Sequence, residues 1–414
     1  MSIDQRTRLH KDRQDLQRDQ VLDSLLPAAI TRFGDVAARG LRYKELPALG
    51  LLVDGRGVTL SEHGDSLVLV TGVARAGVVA ELAADALSDL VQDWQSTMGL
   101  AMTARVKISV GTLDDWIGWE PVLRALLDGR RVHETGDVTF SDAEGGELDL
   151  DRSFSIDDDR AEMAHFLSEA GFLHVEHVFD EAEMAGIGDD IDEWIGRATP
   201  DDGESWWAED SQGTSQAVRV LFFYEKSEAL RRLLADERFQ RLADLTGEGH
   251  AFGGGGEGLV KPLDIVKGLS DLPWHKDCGQ GMHSYVCNSM TTGISVTGAD
   301  RRSGALGVIP GSHRANTIAT MRDRRLDLAP RLLETRTGDV TVHCSDTLHR
   351  AHPPIERPRK VVYTGFRLPP LEDDEVKPNP RYSREARAQL TDVTERIEAA
   401  DNAESERRFR ARPG

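Results

Sequence analysis

The sequence has few cysteines, no long apolar run and no leader-like N-terminus. Its three cysteines, Cys278, Cys287 and Cys344, are too few and too irregularly spaced for a disulfide framework, which favours a reducing compartment. No stretch approaches the roughly 20 apolar residues that a membrane-spanning helix needs. The charged start "MSIDQRTRLHKDRQDLQRDQ" lacks the apolar centre of a signal peptide. We therefore expect a cytoplasmic protein.

The sequence also has fewer basic than acidic residues. The chain has 50 Lys and Arg against 71 Asp and Glu, which gives a formal net charge of −21. A broad negative field repels phosphates and anionic headgroups, so we expect neither a nucleic-acid nor a membrane partner. A chain of 414 residues with 39% hydrophobic residues can form a substantial core, and its length favours two domains.

Residues 1–145 alternate between helical and strand patterns. The sequence predicts helices over about 5–32, over 78–99 and over "WEPVLRALLDG", with strands at 66–72 and 104–110. This alternation predicts a small α+β unit of unknown role. The acidic, glycine-containing stretch 141–160 is the predicted linker, and the alternative is a solvated loop inside one continuous fold.

From about residue 155 the pattern changes. "AEMAHFLSEAGFLHVEHVFD" predicts a helix followed by a strand, and a second helix is expected from about Glu181 to Gly196. From residue 259 onward, short apolar runs are separated by glycine, proline and aspartate, which is typical of a β-sandwich or barrel. Residues 373–414 are expected to form a charged helical tail.

The stretch "LPWHKDCGQG" places His275 two residues before Asp277. In an extended strand these side chains project from the same face. Two histidines and one carboxylate on one face are typical of a non-haem Fe(II) site, with the opposite positions open. Three histidines downstream compete for the remaining ligand position: His343, His349 and His352.

Arg359 follows His349 by ten residues, on the predicted return strand. A planar guanidinium suits the bidentate binding of a carboxylate. Together with "GALGVIPGSHR" (304–314) and the helical opening at 164–184, these motifs resemble the phytanoyl-CoA dioxygenase family of Fe(II)/2-oxoglutarate oxygenases. The resemblance covers roughly residues 157–370.

The resemblance implies a double-stranded β-helix, a jelly-roll or cupin-like core with flanking helices, over residues 155–372. It implies that Fe(II) is held by His275, Asp277 and His349. His343 is then expected to be a buried polar residue near the ligands. His352 directly precedes two prolines and is expected in a turn.

The resemblance also implies a pocket for 2-oxoglutarate. Arg359 is expected to bind its distal carboxylate, with Lys267 as a second contact. The spacing from His349 to Arg359 is one residue shorter than is usual in the family, so Lys360 is an alternative anchor.

The implied activity uses O2 to hydroxylate an unactivated C–H bond of a small or medium organic metabolite, with release of succinate and CO2. The presence of Asp277 favours hydroxylation over halogenation, while desaturation and ring closure stay open. The alternatives are a metal-dependent hydrolase using the same His/Asp/His set, a catalytically silent binding module on the oxygenase fold, and an interaction protein whose main functional part is the N-terminal unit.

Overall fold

The computed structural model describes residues 13–268, 274–277, 289–318 and 325–368. The helices are α1 (Arg18–Gln20), α2 (Leu26–Lys44), α3 (Ala84–Val91), α4 (Thr97–Met102), α5 (Leu113–Gly118), α6 (Glu120–Asp128), α7 (Arg160–Ala170), α8 (Glu181–Arg197), α9 (Phe223–Lys226), α10 (Glu228–Ala235) and α11 (Glu237–Gln240), and a π-helical segment (Val21–Leu25) joins α1 to α2. Within the described ranges, no helix is both long enough and apolar enough to cross a membrane.

The strands fall into three sheets. They are β1 (Leu49–Val53), β2 (Arg56–His63), β3 (Ser66–Thr71), β4 (Val78–Leu82), β5 (Val106–Val110), β6 (Phe154–Ser155), β7 (Phe172–Glu176), β8 (Ser205–Asp210), β9 (Ser215–Val220), β10 (Ala251–Phe252), β11 (Glu257–Lys261), β12 (Ile265–Gly268), β13 (Ser289–Ser295), β14 (Leu306–Val308), β15 (Arg331–Leu333), β16 (Val340–Cys344), β17 (His349–Ala351) and β18 (Arg359–Arg367).

The N-terminal unit contains a five-stranded sheet in the order β3-β2-β1-β4-β5. Strand β4 runs parallel to β1, and the other neighbours are antiparallel. Helix α2 packs along β3 and α6. One hydrophobic cluster of this unit runs from Leu16 to Val132, so an α+β unit with its own core is present as expected.

Two element predictions in this unit were wrong. The predicted helix over 78–99 starts with a strand, β4, because the buried valines Val78 and Val79 pair with β1, and helix α3 begins only at Ala84. Short apolar runs of this kind fit either a strand or a helix. The predicted helix at 5–32 is shifted, since α2 runs to Lys44, with a proline in its first turn where a missing N–H costs little.

The expected double-stranded β-helix is confirmed. Strands β11, β18, β13 and β16 form the centre of a ten-stranded sheet. Nine of its strands follow the order β12-β8-β9-β11-β18-β13-β16-β7-β6, and the tenth, β10, pairs with β18 outside this order. A smaller facing sheet has the order β15-β14-β17, and His275 extends it by an isolated bridge to His349. The large sheet is mixed, because β6 and β7 pair in parallel.

The two faces of the large sheet differ in polarity. Met290, Ile294, Val342 and Val362 belong to a hydrophobic cluster that also contains side chains of α7 and α8. The alternate positions of the same strands carry polar groups, including Thr291, which lies opposite both His343 and Gly365. The helices therefore cover one face, and the other face lines the interior between the two sheets.

Residues 129–153 contain little regular structure and hold one isolated bridge, Ser141 to Glu147. This stretch separates the first hydrophobic cluster from the second, which begins at Phe154. Val138 and Phe140, which precede the predicted linker at 141–160, pack against a third cluster that contains Trp274 and Ile309. The division into domains at about 145–155 stays a prediction, and the expected helical tail at 373–414 lies outside the described residues.

Candidate metal centre and cosubstrate pocket

Three of the side chains singled out in the sequence lie close together in the structure. His275, Asp277 and His349 each offer a ligand atom, and these atoms all lie within 4.8 Å of one another. Asp277 Oδ1 is 3.4 Å from His275 Nε2 and 3.6 Å from His349 Nε2. Two histidines and one carboxylate in this arrangement are a donor set for non-haem iron.

Backbone pairing brings the two histidines together. The His275 N–H donates to the His349 carbonyl at 3.0 Å, and the His349 N–H donates to the His275 carbonyl at 2.9 Å. This antiparallel bridge holds the two ring centroids 4.1 Å apart. The chain around His275 is therefore extended, as the alternation of His275 and Asp277 predicts.

Further hydrogen bonds orient the donor atoms. His349 Nδ1 lies 2.9 Å from the Thr347 carbonyl, so Nδ1 carries the proton and Nε2 keeps its lone pair. Thr291 Oγ1 donates to Asp277 Oδ2 at 2.8 Å, which leaves Oδ1 facing the two imidazoles. Such contacts behind the ligands fix ring orientation and tautomer in metal sites.

The electrostatics of the group fit a bound cation. Burial alone would raise the pKa of Asp277, but the imidazoles of His349, His275 and His343 outweigh it and hold that pKa well below its usual range. Burial lowers the pKa of His349 well below its usual value. A deprotonated carboxylate and a neutral imidazole are the forms that bind metals. The three residues therefore fit an iron ion.

The other two candidate histidines differ in position. His343 is buried in β16, with its ring centroid 4.2 Å from that of His349 and its Nε2 4.0 Å from Asp277 Oδ2. Neither ring nitrogen of His343 has a hydrogen-bond partner within the described ranges, and burial lowers its pKa to about 4. His352 packs edge-on against Trp274, with ring centroids 6.2 Å apart.

Arg359 begins strand β18 and is only 4% exposed. Gly365, on the same strand, lies opposite Thr291 and so shares the interior face with Thr291 and His343. Arg359 is an even number of residues from Gly365, so its side chain also projects into the interior. Its Nε and Nη2 atoms are buried without a hydrogen-bond partner in the part of the chain that the structure describes. An unpaired buried guanidinium is costly, which points to an anionic ligand.

Lys360, the alternative anchor, lies on the opposite face of β18. Its Nζ is 2.5 Å from Asp192 Oδ2 and 3.3 Å from the Gly188 carbonyl, both in α8. The side chain is therefore engaged with the covering helix rather than directed into the barrel.

Two lysines that precede the metal motif, Lys261 and Lys267, differ in burial. Lys267, the expected second contact to the cosubstrate, is exposed on β12, the outermost strand of the large sheet. Lys261, which the sequence analysis missed, is 1% exposed and lies directly opposite Arg359 in the β11–β18 ladder. Its Nζ donates to the His352 carbonyl at 2.7 Å. The alternation of Leu259 and Lys261 in "GLVKP" is the signal that could have identified it.

Residues 167–358 match the model of the phytanoyl-CoA dioxygenase (PhyH) family. The match covers somewhat less than half of the chain and includes the metal group but ends one residue before Arg359. It confirms the resemblance that the motifs indicated. No curated protein is similar enough to the chain to count as a match.

Several solved structures resemble the chain. EvdMO1 is 20% identical with a TM-score of 0.43, and the alignment covers 51% of this chain and 50% of EvdMO1. AviO1 from Streptomyces viridochromogenes Tue57 is 21% identical with a TM-score of 0.41, over 51% of this chain and 96% of AviO1. EctD from S. alaskensis, solved with 2-oxoglutarate and 5-hydroxyectoine, is 17% identical with a TM-score of 0.43, over 57% of this chain and 86% of EctD.

Proposed function

We propose that the chain is an Fe(II)- and 2-oxoglutarate-dependent oxygenase. The observation that carries the proposal is the grouping of His275, Asp277 and His349 within 4.8 Å, on a barrel whose interior face also holds Arg359. Among the described residues, Arg359 Nε and Nη2 have no hydrogen-bond partner. The family match over residues 167–358 supports the same class of activity.

Each residue has a distinct role in this proposal. His275 and His349 hold the iron through Nε2, and Asp277 holds it through Oδ1. Thr291 keeps the carboxylate in place through its hydrogen bond to Oδ2. Bound iron supplies the coupling between oxidative decarboxylation of 2-oxoglutarate by O2 and oxidation of a substrate C–H bond.

Arg359 binds the distal carboxylate of 2-oxoglutarate in this assignment. The interior position of Arg359 supports that role, as do its Nε and Nη2 donors, which have no partner in the described part of the chain. The ion pair of Lys360 with Asp192 disfavours the alternative. The buried ammonium of Lys261, opposite Arg359, adds positive charge to the same end of the interior. Lys267 stays the weaker candidate for a second contact, since it is exposed.

We further propose hydroxylation of an unactivated C–H bond in a small or medium organic metabolite. The carboxylate of Asp277 occupies the ligand position that a halide needs in a halogenase, which favours transfer of oxygen. The products are then the alcohol, succinate and CO2. A hydroxylated product is heavier than the substrate by one oxygen atom, whereas desaturation or ring closure makes it lighter by two hydrogen atoms.

The test is turnover of 2-oxoglutarate in air. Purified protein is incubated with Fe(II), 2-oxoglutarate and a panel of small metabolites, and succinate and product masses are measured. We expect succinate formation that requires both Fe(II) and O2 and is lost in His349→Ala. Hydrolysis of an ester or phosphate substrate with Zn(II), without any consumption of 2-oxoglutarate, would instead identify a hydrolase.

A further inference from the structure

One segment of the oxygenase part, residues 309–318, lies between the N-terminal unit and the candidate metal centre; we call it the support segment. Asn316 is the contact on the N-terminal side and is 3% exposed. Its Nδ2 donates to the carbonyls of Pro121 at 2.9 Å and Arg130 at 2.8 Å, and its own carbonyl accepts from the His133 N–H at 3.1 Å. Every hydrogen-bonding atom of the N-terminal unit in these contacts is a main-chain atom.

On its other side the support segment holds the residue between two of the candidate ligands. Lys276 lies between His275 and Asp277, and its side chain is fully buried. Its Nζ donates to the Ser312 carbonyl at 2.9 Å and to the Ala315 carbonyl at 3.4 Å. Alternation directs Lys276 away from the metal face, and these carbonyls fix it there.

The same segment also forms hydrogen bonds with the residue that precedes His349, the third candidate ligand. The hydroxyl of Ser312 accepts a hydrogen bond from the Leu348 N–H at 2.8 Å and donates to the Ile309 carbonyl at 2.7 Å. Leu348 directly precedes His349. The Ile309 N–H in turn donates to the Leu348 carbonyl at 2.8 Å. All three candidate ligands are therefore flanked by residues bonded to the support segment.

Apolar packing follows the same route. Trp274 and Leu348, each next to a candidate ligand, share a hydrophobic cluster with Ile309, and Val138 and Phe140 pack against that cluster. At Gly311 the support segment lies very close to the side chains of Val138 and Phe140. Gly311 has a φ of +73°, and a Cβ there would lie 2.7 Å from Val138 Cγ1 and 2.9 Å from Phe140 Cζ.

We propose that the N-terminal unit acts as part of the metal centre's scaffold, holding the three ligands in their binding geometry through the support segment. Asn316 and Lys276 are positioning residues in this scheme. The metal affinity of the barrel then depends on a docked N-terminal unit, which gives residues 1–145 a role that the family resemblance leaves open. The identity of the metal as iron rests on the proposed function.

The test measures Co(II) binding by the full chain from the visible absorption of bound Co(II), with Co(II) as an oxygen-stable substitute for Fe(II). Asn316→Leu keeps the size of the side chain but removes both donated hydrogen bonds. Asn316→Ser is the milder variant, should the first fold poorly. Lys276→Met keeps an unbranched side chain that is one atom shorter and removes the ammonium. Val106→Ala, in the core of edge strand β5, is the matched control that destabilises the N-terminal unit from within.

We expect Lys276→Met and the Asn316 variants to weaken Co(II) binding about 10- to 100-fold, as loss of contacts behind metal ligands typically does. Their Co(II) spectra should shift as the ligand geometry changes, whereas Val106→Ala should lower the melting temperature with an unchanged spectrum and affinity. Wild-type affinity and spectrum in the folded Asn316 and Lys276 variants would overturn the inference, as would an equal loss of affinity in Val106→Ala. Failure of the wild-type chain to bind metal would instead overturn the proposed function.

Discussion

Neighbouring basic residues on β18 have opposite orientations, and this difference makes the cosubstrate assignment testable. Arg359→Gln removes the interior guanidinium, whereas Lys360→Gln removes a charge that is paired with Asp192 on the covering helix. Hydrogen bonds to charged groups contribute about 1.5–3 kcal/mol each. We therefore expect 2-oxoglutarate to bind Arg359→Gln about 10- to 100-fold more weakly, with little change in Lys360→Gln.

The measurement is calorimetric titration of the Co(II)-loaded protein with 2-oxoglutarate under matched conditions. A loss of affinity in Lys360→Gln that equals the loss in Arg359→Gln would contradict the assignment, since only one of the two side chains faces the interior.

The two buried histidines next to Asp277 allow a second prediction. His349 belongs to the group of three donors, whereas His343 Nε2 lies 4.0 Å from Asp277 Oδ2 and His343 is outside that group. His349→Ala should weaken Co(II) binding by more than about 100-fold, beyond the usual effect of changes behind the ligands. His343→Gln should retain Co(II) binding close to that of the wild-type protein.

Equilibrium titration against a chelator measures both affinities. The assignment of the third ligand would be wrong if His343→Gln lost metal binding and His349→Ala kept it.

At the residue scale, alternation predicted that His275 and Asp277 share a face, and the extended bridge to His349 agrees with it. Spacing alone could not show which of His343, His349 and His352 is the third metal ligand. That choice depends on the bridge between His275 and His349, which is a contact between distant parts of the chain. Lys261 was missed although its alternation with Leu259 was visible in the sequence, because its burial also depends on pairing with Arg359.

The junction of α7 and β7 yields a prediction at the scale of elements. Gly171 ends α7 with a φ of +78°, and His313 of the support segment packs beside it, with Nε2 2.9 Å from the Ser168 carbonyl. Burial lowers the pKa of His313 to about 4, from an ordinary value of 6.5. The folded state therefore binds the proton more weakly than the unfolded chain does.

The sign of the pH effect follows from this difference. Above pH 6.5 neither state binds the proton, and between pH 6.5 and about 4 the unfolded chain gains it first, so stability falls as the pH falls. His313→Gln, which keeps a donor for the Ser168 carbonyl, should lose less stability than the wild type between pH 7 and about 4.5. Urea unfolding at both pH values measures this difference. An equal loss in the two proteins would show that His313 does not titrate in this range.

The element predictions succeeded where one pattern dominated. The strand at 66–71, the helix that ends at Gly129 and the α7–β7 pair follow the predicted order. The pattern over 78–99 combined a strand with two short helices, and only pairing with β1 separates them. Strands β1 and β2 were missed because their runs are short and contain glycine.

At the scale of the whole molecule, the contacts of the support segment predict cooperative unfolding. Asn316 joins the N-terminal unit to the barrel, and Val138 and Phe140 continue the hydrophobic cluster of Trp274. Separation of the two parts would expose this cluster and break the buried hydrogen bonds. Scanning calorimetry of the metal-free protein should therefore show one transition. Two resolved transitions would mean that the units unfold independently.

Chain length suggested two domains, and that division stays a prediction. The docking of the two parts could not be predicted. The docking depends on Gly311, on the side chain of Asn316 and on backbone carbonyls, none of which has a distinctive sequence pattern.

The central claim is that this barrel binds iron together with 2-oxoglutarate. The most direct test is anaerobic addition of Fe(II) and 2-oxoglutarate to the full chain, followed by visible absorption for the charge-transfer band of chelated 2-oxo acid. We expect a band in the wild type, no band in Asp277→Ala, and a band in Arg359→Gln only at much higher 2-oxoglutarate. Absence of the band in the wild type, with iron bound, would contradict the proposed function.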